Sequence, residues 1–219
     1  MGIFPSRARP TAIPPSNPSS AETQILTLGA AEKVAIGFRQ LPTTLVASLL
    51  NAVVLAAVLW KGGNRTAICA WLAAMGLGVL ARWGLLRAFR VHAPGPESAR
   101  IWGRKFAWGT AYGGTVCGFG ALLLPSGLGS FQTWFFTMVM VGLAAGAIPS
   151  FSPLPGAYPR FLIPFIILFL GRILVPFGVN SLLIATVTLL FMAVMLLGSE
   201  RYHAVIEEAL TLRFEKLAL

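Results

Sequence analysis

The sequence predicts an all-α, polytopic membrane protein: a six-helix transmembrane bundle with a cytoplasmic helical extension. Three observations carry this reading. Six apolar runs fill residues 41–198, each close to the ~20 residues a helix needs to cross ~30 Å of hydrocarbon. Of the 219 residues, 56% are apolar and 11% are charged, and the mean hydropathy is +0.77; a soluble domain carries about 25% charged residues. The basic residues, which give a net charge of +10, sit beside the apolar runs rather than on one soluble face. That placement argues for a membrane surface and against nucleic acid as the partner.

Residues 1–24 are expected to form a disordered cytoplasmic tail. Pro5, Pro10, Pro14, Pro15 and Pro18 lie among Ser and Ala, a composition that buries too little to order itself. The first forty residues contain no apolar signal-peptide core. Residues 25–40 read as an amphipathic helix on the inner membrane surface. Val34, Phe38 and Leu41 repeat at i, i+4 and i+7, and Lys33 and Arg39 are placed to reach anionic headgroups. Pro42 would then stand in the first turn of span 1, where its missing N–H has no partner to lose.

The bundle occupies residues 41–198. Its spans are 41–60, 67–86, 106–124, 131–148, 161–177 and 181–198. Two of these are weaker, because Arg82 interrupts the second and Pro164 and Arg172 interrupt the fifth. Lys and Arg near span ends stay on the cytoplasmic side. Of the 17 basic residues, only Lys61, Arg65 and Arg172 fall on the outer side. Both termini are therefore expected in the cytoplasm.

Within the bundle, small residues mark close approach. Span 3 pairs Gly109 with Gly113 and Gly114 with Gly118; span 4 pairs Gly142 with Gly146. Each pair has the spacing that lets helix backbones touch in lipid. Three partners fit: a contact between spans 3 and 4, a homodimer seam, or a cavity for an apolar ligand. The loop over residues 149–160 carries four prolines and reads as a stiff connector. Arg82 and Arg172, both near span ends, are expected to snorkel to the headgroups. Arg172 is also a candidate contact for an anionic headgroup or ligand.

Beyond span 6, residues 199–219 contain neither Pro nor Gly. The helix should run on into water. Ile206, Leu210, Phe214 and Leu217 share one broad face of it. Left in water, that face would be satisfied by a second copy in a two-stranded coiled coil, which makes the chain an expected homodimer.

Catalytic and metal chemistry are not indicated. The sequence has no Asp, its seven Glu lie outside the spans, and Cys69 and Cys117 are isolated. No enzyme activity, cofactor or metal is expected of this chain. The same lack of intramembrane acids disfavours a proton-coupled transporter, although a small transporter or a membrane-embedded binding protein remains the alternative.

Four segments taken together resemble a known family. They are Arg39-Gln40-Leu41-Pro42, the basic run ending Trp102-Gly103-Arg104-Lys105-Phe106, the Pro-rich loop before Phe161-Leu162-Ile163-Pro164, and Leu212-Arg213-Phe214-Glu215-Lys216-Leu217. They resemble the six-span N-terminal sensory regions of bacterial signalling proteins, which precede histidine-kinase or GGDEF diguanylate-cyclase domains. The resemblance implies an input domain that relays a bilayer or lipophilic-ligand signal through its last helix. The implied partner is a downstream output domain, a kinase by preference and a cyclase next. Its output motifs are missing here, and the pattern runs to Leu219 without a cap, as expected of an input module separated from its effector.

Overall fold

A computed structural model describes the backbone of residues 18–61, 63–92, 95–124, 131–175 and 178–218. The described residues are helical, with no strand among them. Six α-helices follow in order: α1 (Pro18–Leu59), α2 (Arg65–His92), α3 (Ala99–Ala121), α4 (Phe131–Phe151), α5 (Ala157–Leu174) and α6 (Val179–Ala218). A short 3-10 turn, Pro96–Ser98, leads into α3.

Each expected span falls in its own helix, and five of the six helices are long and apolar enough to cross a membrane. The exception is α3. Arg100, Arg104 and Lys105 fill its first turns, and it ends at Ala121, so its apolar part rises only ~24 Å at 1.5 Å per residue. The outer faces are apolar: Leu50, Leu80, Ile167 and Leu190 are each more than 60% exposed. A continuous surface of that kind is compatible with lipid and not with water.

The helices alternate in direction and close into a ring, in the order α1, α2, α3, α5, α6, α4. The most extensive contact is between α3 and α5. Both long extensions, the start of α1 and the end of α6, leave from one end of the ring, where Lys33 pairs with Glu207. Arg87, Arg90, Arg100, Arg104 and Arg160 gather at the same end, called here the basic end.

Local chemistry explains the boundaries. Asn64 caps α2, its side-chain oxygen accepting from the N–H groups of Thr66 (3.0 Å) and Ala67 (3.3 Å). Gly156 holds φ at 74° before α5, a left-handed conformation that glycine adopts without a Cβ clash. The Pro-rich connector is shorter than its sequence suggests. Pro149 lies inside the end of α4 and Pro159 in the first turn of α5, where a missing N–H costs little. Only residues 152–156 remain as loop. Its Leu154 is buried against Gly37 of α1 and Gly103 of α3.

The start of the chain departs from expectation. Residues 1–17 of the expected tail lie outside the described residues, but residues 18–24 already belong to α1. Nor is there a separate surface helix over residues 25–40. α1 is unbroken, with Pro42 inside it. Its stripe of Val34, Phe38, Leu41 and Leu45 is buried against protein rather than laid on headgroups. Phe38 stacks on Phe89 at 4.1 Å and meets the edges of Phe106 and Trp102 at 5.4 and 6.1 Å. That packing outweighs the one backbone hydrogen bond that Pro42 removes.

Candidate functional site

Two features stand apart from the packing: a cavity inside the ring and a docked layer at the basic end.

The cavity encloses about 260 Å³ among α1, α2, α3, α4 and α5. Its walls are mostly apolar, with hydroxyls from Thr43, Thr44, Ser48 and Ser150 and the amide of Asn51. Among the described residues, Arg82 is the single charged one lining it. The snorkelling expected of Arg82 is not observed, because α2 continues ten residues past it to His92. Arg82 is 9% exposed, and its guanidinium lies 5.3 Å from the ring centre of Phe151 and 5.9 Å from that of Phe106. Those π faces attract a cation, by about 2 kcal/mol where water is excluded, but accept no hydrogen bond along the guanidinium plane. Nη2 has no hydrogen-bond partner among the described residues. A buried polar group left so costs about 1–3 kcal/mol, and more when charged.

The glycine pairs sort by what faces them. Gly114 and Gly118 do mark a close approach, but to α5 rather than to α4. A Cβ on Gly114 would stand 1.9 Å from the carbonyl oxygen of Phe161, and one on Gly118 3.1 Å from the Cα of Phe165. Gly109 and Gly113 seat the Arg82 side chain instead; their Cβ positions lie 3.4 Å from its Cγ and 3.6 Å from its Nη1. Gly142 and Gly146 pack against nothing: a Cβ on either meets no atom within 4 Å. Both line the cavity and are exposed, as are Thr43 and Ala47 of α1. The cavity therefore opens sideways between α1 and α4, within the apolar part of the bundle.

Arg172 is not free for a ligand in the way the sequence suggests. Its Nη2 donates to the carbonyl of Leu124 at 2.6 Å. It thereby satisfies one of the carbonyls left open after α3 and places a cation at that helix's negative end. Other interhelical bonds serve the same structural purpose. The Trp71 indole donates to the Val116 carbonyl (2.7 Å), and the Tyr158 hydroxyl to the Ala144 carbonyl (3.1 Å).

The docked layer joins the loop over residues 152–156 to α6. The hydroxyls of Ser152 and Ser199 are 2.7 Å apart, and Nδ1 of His203 donates to the Ser152 carbonyl at 2.9 Å. Lys33 of α1 holds Glu207 from the other side. The Lys33 ammonium keeps the Glu207 carboxyl below its ordinary range; this residue lies past the apolar stretch that ends at Gly198. Ser152 directly follows Ser150 and Phe151 of the cavity wall, so the cavity and α6 share one short piece of chain.

The expected seam on α6 is only partly available. Leu210 is buried, lining a groove at the basic end together with residues of α1 and α3, and Ile206 is half-buried. The side chains of Phe214 and Leu217 lie outside the described residues. Leu210 is not left in water, because the start of α1 extends beyond the bundle and covers it.

Among the described residues no three His, Cys or Glu side chains stand together. The cavity offers hydroxyls, one amide, the Cys117 thiol and one guanidinium, a set suited to holding a small ligand. Comparison with known proteins gives no relative from which to read more: no family model matches the chain, and neither a curated protein nor a solved structure matches it.

Proposed function

We propose that the chain is the membrane-embedded input module of a bacterial signal-transduction protein. It takes a bilayer or lipophilic-ligand signal and relays it through α6 to a cytoplasmic output domain, a histidine kinase by preference and a diguanylate cyclase next. The observation that carries this reading is α6 itself. It runs 40 residues without a break, about 60 Å at 1.5 Å per residue, twice what a bilayer core requires. A continuous helix passes on rotation, tilt or translation that a Gly or Pro hinge would absorb. Its docking at Ser152, one residue from the cavity wall, gives the movement a source.

In this reading all six helices cross the inner membrane, α3 shielded by its neighbours, and both ends lie in the cytoplasm, as the placement of basic residues favours. A homodimer remains part of the proposal. Its α6 contact would use the exposed Val205 and Leu212, one heptad apart, rather than Leu210. The cavity favours a second reading, a membrane-embedded binding protein or small transporter without an output domain.

The test is a fusion of the full chain to a cyclase reporter placed after Leu219. Leu210→Pro breaks α6 beyond the membrane and leaves every span intact. The reading expects the variant to insert normally and to lose the output level set by the wild-type fusion. Equal output from both fusions would count against a relay and in favour of the second reading.

A further inference from the structure

We infer that the Arg82 cavity binds the carboxylate of a lipophilic monocarboxylic acid, admitted sideways from the bilayer between α1 and α4. The inference rests on the reading of the chain as an input module, in that it names the stimulus.

Charge sets the first condition. Arg82 is 9% exposed, and its Nη2 has no partner among the described residues. The sequence has no acid between Glu32 and Glu97, or between Glu97 and Glu200, so α2 to α5 supply no counter-charge from within their apolar lengths. Arg82 lines the cavity, and water there would leave its charge uncompensated; an anion would compensate it.

The number and shape of the charge set the second condition. One guanidinium balances one negative charge. A phosphate monoester would bring nearly two, and the remainder would face mostly apolar walls with no second cation among the described residues lining them. The guanidinium fork matches the planar carboxylate with two parallel hydrogen bonds. Thr44 donates to the Ser150 hydroxyl at 2.8 Å, which leaves the Ser150 hydrogen as one further donor lining the same cavity.

Access and body set the third condition. Gly142 and Gly146 leave the opening clear, and nothing within 4 Å replaces their missing side chains. A cavity of about 260 Å³ is far larger than a halide needs, and its apolar walls suit a short alkyl or aryl body. The opening lies at a depth where such a body already resides once its acid has partitioned into lipid. The carboxylate then has a short path from headgroup level to Arg82, which is ten residues, or ~15 Å of helix rise, from the basic end of α2.

The probe is radiolabelled octanoate, measured by equilibrium binding to the full chain in phosphatidylcholine nanodiscs, with empty nanodiscs subtracted. Saturable binding is expected, with octanol failing to compete and octyl phosphate competing poorly. Arg82→Gln keeps a polar side chain of similar path and removes the charge; it should weaken binding by roughly tenfold or more, about 1.4 kcal/mol. Arg82→Lys should fall between. Gly146→Leu obstructs the opening without touching Arg82 and should also weaken binding. Since its Cβ meets nothing, this variant decides the matter if Arg82→Gln does not fold. Wild-type affinity in Arg82→Gln, or in Gly146→Leu where Arg82→Gln does not fold, or equal competition by octanol, overturns the inference. Full displacement by chloride overturns the carboxylate assignment in favour of a halide site. No binding at all refutes the inference while leaving the relay open to a bilayer stimulus. Octanoate binding beside an unresponsive Leu210 fusion upholds the inference and removes the relay.

Discussion

Gly114→Ala should separate α3 from α5, the most extensive contact in the ring. The added methyl carbon would stand 1.9 Å from the carbonyl oxygen of Phe161, 2.7 Å from its carbonyl carbon and 2.9 Å from its Cα. All three are backbone atoms, so no rotamer change relieves the clash. Bringing the closest pair to the 3.0 Å floor of real contacts requires a movement of about 1.1 Å. A gap of 0.5–1 Å forfeits roughly a quarter to a half of each dispersion contact along the seam, including the contacts of Gly118 with Leu168 and Phe165. Overpacking of this kind costs about 1–3 kcal/mol. The better helix propensity of alanine returns some 0.5–1 kcal/mol of that in water. Gly142→Ala makes the same chemical change where a Cβ meets nothing, and should be neutral or slightly stabilising. The propensity gain is common to both, so the two variants should differ by the overpacking cost of about 1–3 kcal/mol, or roughly 2–12 °C in melting temperature at this chain length. The assay is thermal unfolding in one detergent, followed by circular dichroism. Equal melting temperatures for Gly114→Ala and Gly142→Ala would refute the assignment of the α3–α5 seam.

Other outcomes follow from single contacts. Arg172→Ala removes the bond to the Leu124 carbonyl; a charge-assisted bond is worth about 1.5–3 kcal/mol, and hydrogen exchange at residues 121–124 should quicken. Leu210→Asp should release the end of α6 from α1 and raise exchange along residues 203–212. The pair of Lys33 and Glu207 should respond to acid with a definite sign. The Glu207 carboxyl is held below its ordinary range, so its contribution to docking is fully present above that range and is lost as pH falls through the lowered value. Glu207→Gln should abolish this dependence in a distance measurement between α1 and α6, and persistence of the dependence would assign it to another group.

The apolar runs made the helices legible, because membrane length and hydropathy are local properties. Each run has most of its length in a helix of its own, and the lack of Pro or Gly after residue 198 correctly implied one continuous α6. Partnership was not legible. The spacing of Gly114 and Gly118 says that a backbone comes close but not which one, and span 4 was only one of three partners that fitted. The ring order places α5 there instead. Gly142 and Gly146 have the same spacing and no neighbour, since an opening and a packing seam look identical in sequence. The fate of Val34, Phe38 and Leu41 depended on long-range partners, Phe89, Trp102 and Phe106, that no local pattern names. Arg82 read as a snorkelling residue because the apolar run ends just after it, while the helix itself continues. One signal in the sequence did bear on it: an arginine inside an apolar run, in a chain whose spans hold no acid, faces Gly109 and Gly113, which have no side chains to exclude it.

The central claim is that occupancy of the cavity moves α6. Spin labels at Leu28 on α1 and Glu208 on α6, both exposed, report the distance across the docked layer in nanodiscs. With octanoate present, the wild-type distance distribution is predicted to shift, and the Arg82→Gln distribution to stay where it was. An unchanged wild-type distribution, under conditions where octanoate is bound, would contradict the account.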